Sequence, residues 1–295
     1  LSESKGILLF AHNNQEIDYI TMASVCARFA KKNLGVPVTV VTDSSSVKWA
    51  FSQDPKIMEA FDNFVLTDDI PVLVDQDKRF YDGSLDYKKI RFNNGFRSLC
   101  YYLSPYDQTI VMDTDLLIMN DRLKNVWDTD EDFMINSDHF DLARYRDDSE
   151  FKKTSDRGID FYWATIFYFK KTAWTKSFFD LYQHIVENYD FYVFTYQLPW
   201  HLMRNDYVVS VAIHIMNGFS NRSKPVKLPC TVYYTLDRDE LTQINSKNEL
   251  IFFVQKQDHL GEYTLIKTST QNVHIMNKYS FIRNIPKMQE ILDAE

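Results

Sequence analysis

A strand, a helix and a second strand at the head of this chain restrict its fold more than any other feature. The run Ile7-Leu8-Leu9-Phe10-Ala11 is apolar throughout and reads as a buried strand. A polar stretch follows, His12-Asn13-Asn14-Gln15. Then Met22, Val25, Cys26 and Phe29 recur at i, i+3, i+4 and i+7, the spacing of one buried helix face. Lys31 and Lys32 fall in its last turn, and Gly35 and Pro37 end it. Next comes the β-branched run Val38-Thr39-Val40-Val41-Thr42-Asp43. Two consecutive strands separated by a helix pair in parallel through a right-handed crossover, and a parallel sheet needs cover on both faces. The chain is therefore expected to be α/β.

Residues 44 to 93 carry less pattern. Phe64-Val65-Leu66 reads as a third strand, and the Asp-rich residues 67 to 87 read as a loop. A helix is expected where Phe96, Leu99, Cys100 and Leu103 repeat the i, i+3, i+4, i+7 spacing, stopped by Pro105. The strand Thr109-Ile110-Val111-Met112 then runs straight into Asp113-Thr114-Asp115, with Leu116-Leu117-Ile118 beyond. Further strands are expected at Phe133-Met134-Ile135, Thr165-Ile166-Phe167-Tyr168-Phe169 and Ile251-Phe252-Phe253-Val254. An amphipathic helix is expected over residues 175 to 189, with the stripe Phe178, Leu181, Tyr182, Ile185 and Tyr189. Another is expected over residues 206 to 216. No repeat, low-complexity tract or linker interrupts the chain, so its 295 residues are expected to form a single domain.

Asp-x-Asp occurs five times: at Asp75/Asp77, Asp113/Asp115, Asp128/Asp130, Asp130/Asp132 and Asp237/Asp239. A solvated acidic loop is the ordinary reading for any one of them. The Asp113/Asp115 pair differs, because it alone directly follows a strongly apolar strand with a helix before it. Ligands of open α/β sheets bind beyond the carboxyl ends of the strands. Two carboxylates crowded there repel each other unless a cation neutralises them, and their hard oxygens suit Mn²⁺ or Mg²⁺. Such a cation bridges a diphosphate and stabilises the charge that builds on a leaving phosphate.

Other chemistries are disfavoured. With only 7 Gly, the chain shows neither the P-loop nor the dinucleotide fingerprint. A net charge of -8 is not that of a wholesale nucleic-acid binder. Cys26, Cys100 and Cys230 are odd in number and far apart, which reads as reduced thiols in a cytoplasmic protein. No run of 18 apolar residues suggests a membrane span, and the polar Leu1-Ser2-Glu3-Ser4-Lys5 carries no signal-peptide core.

The run from Tyr101 through Pro105-Tyr106 and the strand to Asp113-Thr114-Asp115 resembles the helix, turn, strand and DXD segment of GT-A fold glycosyltransferases, in particular glycosyltransferase family 8. Val273-His274-Ile275-Met276-Asn277-Lys278 is similar to that family's late segment. The resemblance covers about residues 6 to 280. It implies a GT-A fold, with residues 1–115 as the nucleotide-binding half and residues 116–295 as the acceptor half and C-terminal metal-site segment. It implies transfer of a sugar from a nucleotide-sugar, a UDP-sugar, to an acceptor hydroxyl with retention. Asp113, Asp115 and His274 would hold Mn²⁺ or Mg²⁺, and Lys278 would meet the diphosphate. Arg97 would touch the donor. Ala11, His12 and Asn13 would line the base pocket, and Tyr19 would stack on the base. Asp206 matches an acid near the transferred sugar, a candidate to steady developing positive charge; a helix N-cap is the alternative for it.

The chain departs from the family pattern in places. Trp163-Ala164-Thr165 stands where Asn-x-Gly is usual, and Asp206-Tyr207 stands for Asp-Gln. No Gly precedes Lys278 and no Pro-Trp follows it. These departures leave the sugar and the acceptor open: a glycan, a protein or a modified DNA base. The last comes from a weaker similarity to glycosyltransferases of tailed phages, which would act in the host cytoplasm. Two rival readings use the same residues differently. One is a metal-dependent nucleotidyltransferase or nucleotide hydrolase, and the other is a non-catalytic binding module.

Overall fold

The structure is a computed structural model, and it describes residues 4–155, 158–199, 202–220, 223–245, 247, 249–256 and 261–294. The opening elements are strand β1 (Lys5–Phe10), helix α1 (Tyr19–Leu34) and strand β2 (Val38–Thr42). Asp18 caps α1 by accepting from the Thr21 amide, and Gly35 ends it in the left-handed conformation, φ 69°. Two short helices follow, α2 (Ser44–Gln53) and α3 (Lys56–Glu59), before strand β3 (Asn63–Leu66). Asp43, the acid ending the second apolar run, caps α2.

Residues 67 to 87 are not the loop expected. Most of them belong to a hairpin of β4 (Gln76–Asp82) and β5 (Asp86–Phe92), turned at Gly83, φ 76°. Its inward positions are largely polar, and only Phe80 and Ile90 are buried, so the apolar alternation that marks a strand is missing. The following segment winds tightly as a 3-10 turn over Gly95–Leu99 and becomes helix α4 (Cys100–Leu103).

Strands β6 (Gln108–Met112), β7 (Leu116–Leu117), β8 (Phe133–Ile135), β9 (Phe140–Asp141) and β10 (Ile166–Lys170) come next. Helix α5 (Ala173–Glu187) starts at a reciprocal Thr172/Thr175 capping box and buries Phe178, Phe179, Tyr182, Ile185 and Val186. Then come α6 (Tyr189–Tyr196) and α7 (Asn205–Met216), followed by strands β11 (Val232–Thr235), β12 (Glu240–Ile244), β13 (Glu249–Gln255), β14 (Tyr263–Ser269) and β15 (Asn272–Ile275). Helix α8 (Lys278–Asp293) closes the chain.

The central sheet has the order β3-β2-β1-β6-β10-β8. Its first four strands are parallel, and β10 and β8 run antiparallel to their neighbours. Side chains alternate across it. Ile7, Leu9, Val38, Val40, Ile110 and Met112 pack in one core with α1 and α8, whereas Leu8, Val41, Val111 and Phe167 pack in the other with α5 and α7. With both faces covered, the strands read as unbroken apolar runs. The chain is thus α/β, with a mixed central sheet flanked by helices. A second sheet, β7-β15-β11-β9, and a third, β12-β13-β14, lie beside it.

Gly6 in β1 is needed for close approach: a β-carbon there would overlap the ring of Tyr106, which is buried and hydrogen-bonds Thr39 Oγ1 at 2.8 Å. Gly6→Ala is expected to lower stability by about 1–3 kcal/mol through overpacking. Urea unfolding measures this, and an unchanged midpoint would contradict the close approach.

Candidate active site

The order of the central sheet reverses between β1 and β6, since β2 and β3 extend from one side and β6 from the other. That switch point opens a crevice beyond the strand ends. Ala11, His12 and Asn13 leave β1 on one side of it, and Asp113 leaves β6 on the other.

At Asp113 the chain passes from one sheet into another. The Asp113 amide donates to the Thr165 carbonyl at 2.9 Å, beside the start of β10. Two residues on, the Asp115 carbonyl accepts from the Ile275 amide at 2.9 Å, and Leu116 pairs with His274 across β7 and β15. The register therefore sets His274 beside the acidic turn. Helix α1 braces the turn from below: Cys26 Sγ donates to the Thr114 carbonyl at 3.1 Å, and Asn33 donates to the Ile118 carbonyl at 2.8 Å.

Asp113, Asp115 and His274 converge so that one donor atom from each lies within 4.8 Å of the others, and this set could hold a metal ion. His274 Nε2 is 3.2 Å from Asp115 Oδ2 and 3.8 Å from Asp113 Oδ2. Its Nδ1 faces Thr165 Oγ1 at 3.3 Å, the partner that orients an imidazole for ligation through Nε2. Two carboxylates and one imidazole are an appropriate set for a divalent cation, and the added nitrogen suits Mn²⁺ better than Mg²⁺.

The two acids are electrostatically unlike. Burial pushes the Asp113 carboxyl up, only partly opposed by the Arg97 guanidinium. For Asp115, burial acts in the same sense but loses to His274 and Lys278, which hold it far below the ordinary carboxylate value. Asp115 is buried, whereas 31% of the Asp113 side chain is exposed at the cleft mouth.

Every candidate residue read from the sequence falls among the described residues. Arg97 turns inward. It is buried, pairs with Asp113 and donates to the Ala164 carbonyl. Lys278 is the first residue of α8, capped by Asn277. A cation at the positive end of a helix is unfavourable, and its ion pair with Asp115 offsets that. Asp206 is not an N-cap: Arg204 holds that position, and Asp206 lies two residues inside α7. Its carboxylate accepts from the Ala164 amide at 2.9 Å and pairs with Arg204 at 3.1 Å. The Ala164 backbone thus links Asp206, through its amide, to Arg97, through its carbonyl.

The nucleoside-side candidates are tied into the scaffold. His12 hydrogen-bonds Thr67 Oγ1 at 2.9 Å and stacks on Phe96 at 4.8 Å, and burial lowers its pKa against the pull of Asp43 and Asp68. Asn13 accepts from the Ile20 amide at 2.9 Å and donates to Asp18 at 2.9 Å. Ala11 is fully buried. Tyr19 opens α1, and its hydroxyl is buried with no partner among the described residues. Burial, then Asp115 and Asp113, push its pKa well above 10.

Sequence reasoning missed His139. It is buried, stacks on Trp163 at 4.6 Å, and neither ring nitrogen has a partner among the described residues. Burial and then His274 hold it neutral. No motif or periodicity surrounds it. The solvated reading of the Asp237/Asp239 pair also fails, because Asp239 is buried against Arg146. Lys88, Lys89 and Arg91 lie on a solvated face, each paired with an acid. Lys224 and Lys227 are likewise paired. No helix among the described residues is long and apolar enough to cross a membrane.

No protein-family model matches the chain, and no curated protein does. Among solved structures it is similar to the glycosyltransferase GlyE of Streptococcus pneumoniae TIGR4, at 9% identity over 77% of this chain and 45% of that one, with a TM-score of 0.42. The matched part therefore spans less than half of GlyE. The chain is also similar to the galactosyltransferase LgtC in complex with donor and acceptor sugar analogs, at 14% identity over 69% of each chain and a TM-score of 0.41. For the PaToxG glycosyltransferase the figures are 9% identity, 72% of this chain, 69% of that one and 0.37. Residue roles in this chain rest on its own geometry.

Proposed function

We propose that this chain is a metal-dependent glycosyltransferase that moves a sugar from a UDP-sugar to an acceptor hydroxyl. One observation carries the reading: Asp113, Asp115 and His274 converge at the switch-point crevice, with the ammonium of Lys278 at their edge. Paired acids at that place, flanked by a cation, suit a diphosphate better than a neutral ligand.

In this reading Asp113, Asp115 and His274 hold Mn²⁺ or Mg²⁺. The ion, when bound, supplies Lewis-acid stabilisation of the departing diphosphate. Lys278 adds a second positive charge for the phosphates. Arg97 aims Asp113 and favours its ionised form against burial, while Ala11, His12, Asn13 and Tyr19 border the nucleoside side. Asp206, held by the Ala164 amide, faces the transferred sugar and steadies positive charge there. Residues 1–115 bind the nucleotide, and residues 116–295 supply the acceptor side and the late metal-site segment. The family resemblance supports transfer with retention, and the free Cys26, Cys100 and Cys230 support a cytoplasmic location. The pairing of Lys88, Lys89, Arg91, Lys224 and Lys227 with acids leaves those cations neutralised, which favours a glycan or protein acceptor over DNA.

The test is a thermal-unfolding screen of nucleotide-sugars with Mn²⁺, Mg²⁺ or chelator. One UDP-sugar, at about 100 times its dissociation constant, is expected to raise the midpoint by roughly 5 °C only when metal is present. Equal stabilisation in chelator, or by no nucleotide-sugar at all, rejects the reading.

A further inference from the structure

The hairpin β4–β5 presents one cation to the site that nothing above uses. Gln76, Lys78, Phe80 and Asp82 share the face of β4 turned to the domain, and Asp77 and Arg79 are exposed on the other. Three of the four inward residues are anchored. Gln76 exchanges two hydrogen bonds with the Met203 backbone, each 2.9 Å, just before α7. Phe80 is buried. Asp82 accepts from Arg283 of α8 at 2.7 and 2.9 Å. The hairpin is thus clamped to the segment that leads to Asp206 and to the helix that begins with Lys278.

Lys78 stands between these clamps. Its ammonium makes no hydrogen bond or ion pair among the described residues, and it sits 5.3 Å from the Phe80 ring and 5.2 Å from the Phe92 ring. The Phe92 ring is 6.3 Å from that of Tyr19, whose unpartnered hydroxyl feels both Asp115 and Asp113. Lys78, Phe92 and Tyr19 therefore lead from the hairpin toward the acidic turn. Burial, then the charges of Lys278 and Arg204, push the Lys78 pKa down to about 8 against the pull of Asp237 and Asp115. Lys278 is paired with Asp115 and Arg204 with Asp206, so Lys78 is the one of these three cations without an ion pair among the described residues, and a phosphate group would supply its partner through charge-assisted hydrogen bonds.

We propose that the hairpin roofs the donor cleft and that Lys78, from its inner face, binds the phosphate groups of a nucleoside diphosphate. The class of ligand rests on the function proposed above; the phosphate contact rests on the placement of Lys78. The test is calorimetric titration of the full chain with UDP and, separately, inorganic pyrophosphate, both with Mn²⁺. Lys78→Met is expected to weaken both on the order of 10- to 100-fold. Lys78→Arg, which keeps the charge, should stay within a few-fold of the parent, and Arg79→Met, on the outer face, should match it. Equal affinity of parent and Lys78→Met for both ligands overturns the contact and leaves the donor reading standing. If the parent binds pyrophosphate, with the Lys78→Met loss, but not UDP, the contact is supported and the nucleotide reading falls. A parent that binds neither overturns both.

Discussion

Asp115→Asn is expected to weaken Mn²⁺ binding, and with it metal-dependent UDP binding, by about 100- to 1000-fold while leaving the fold intact. The substitution keeps size and shape but removes one negative charge. A unit charge at 4 Å is worth about 4 kcal/mol at an effective dielectric constant near 20, or close to three powers of ten in affinity. The change also leaves Lys278 at the start of α8 without its counter-charge and in the path of an incoming cation. The fold survives because the backbone carbonyl of Asp115, not its carboxylate, receives the Ile275 amide that joins β7 to β15. Titration of Mn²⁺ into the variant, followed by UDP, measures the effect. Binding within threefold of the parent would remove Asp115 from the ligand set.

This acidic turn was legible because of what surrounds it. The parallel strands are buried on both faces, so β1, β2 and β6 stand out as apolar runs, and only the Asp113/Asp115 pair sits at the end of one. His274 was legible through resemblance, and its reason is the pairing of β15 with β7. The hairpin was not legible, because its inward residues Gln76, Lys78 and Asp82 are polar, and Gln76 and Asp82 find their partners in tertiary structure rather than in a local apolar pattern. Helix α8 was missed for a different reason. Phe281, Ile285, Met288 and Ile291 have helical spacing, but Pro286 stands inside the run and reads as a breaker. The burial of Asp239 could not be anticipated either. Its partner Arg146 lies far away in sequence and comes near only when the second and third sheets are built.

That partnership carries the second large effect, expected on removal of Arg146. The guanidinium holds Asp141 at 2.6 and 2.7 Å and Asp239 at two distances of 2.8 Å, and it reaches the Gln255 carbonyl at 3.3 Å. All three side chains are no more than 5% exposed. Arg146→Met strands two buried carboxylates, and breaking a buried pair from one side costs about 3–5 kcal/mol. The loss should depend on pH with a definite sign. Burial already raises the Asp239 carboxyl in the native protein despite Arg146, and without Arg146 it rises further. A group whose native pKa lies above its unfolded value favours the fold below the unfolded pKa, and that support is lost as pH climbs through the native one. The deficit of Arg146→Met should therefore be full at neutral pH and shrink as the medium is acidified toward the carboxylate range. Replacing all three residues with apolar ones should not restore stability. Asp239 also accepts from the amides of Leu236 at 2.7 Å and Gln255 at 2.9 Å, and Asp141 from that of Ala143 at 2.7 Å, so those donors would be orphaned. Urea unfolding of both variants across pH tests this. A deficit that grows on acidification, or an apolar triple variant as stable as the parent, would contradict it. Because the cluster joins β9 to the turn after β11, and β11 pairs with the strand that carries His274, Arg146→Met should also loosen the metal site, by less than Asp115→Asn does.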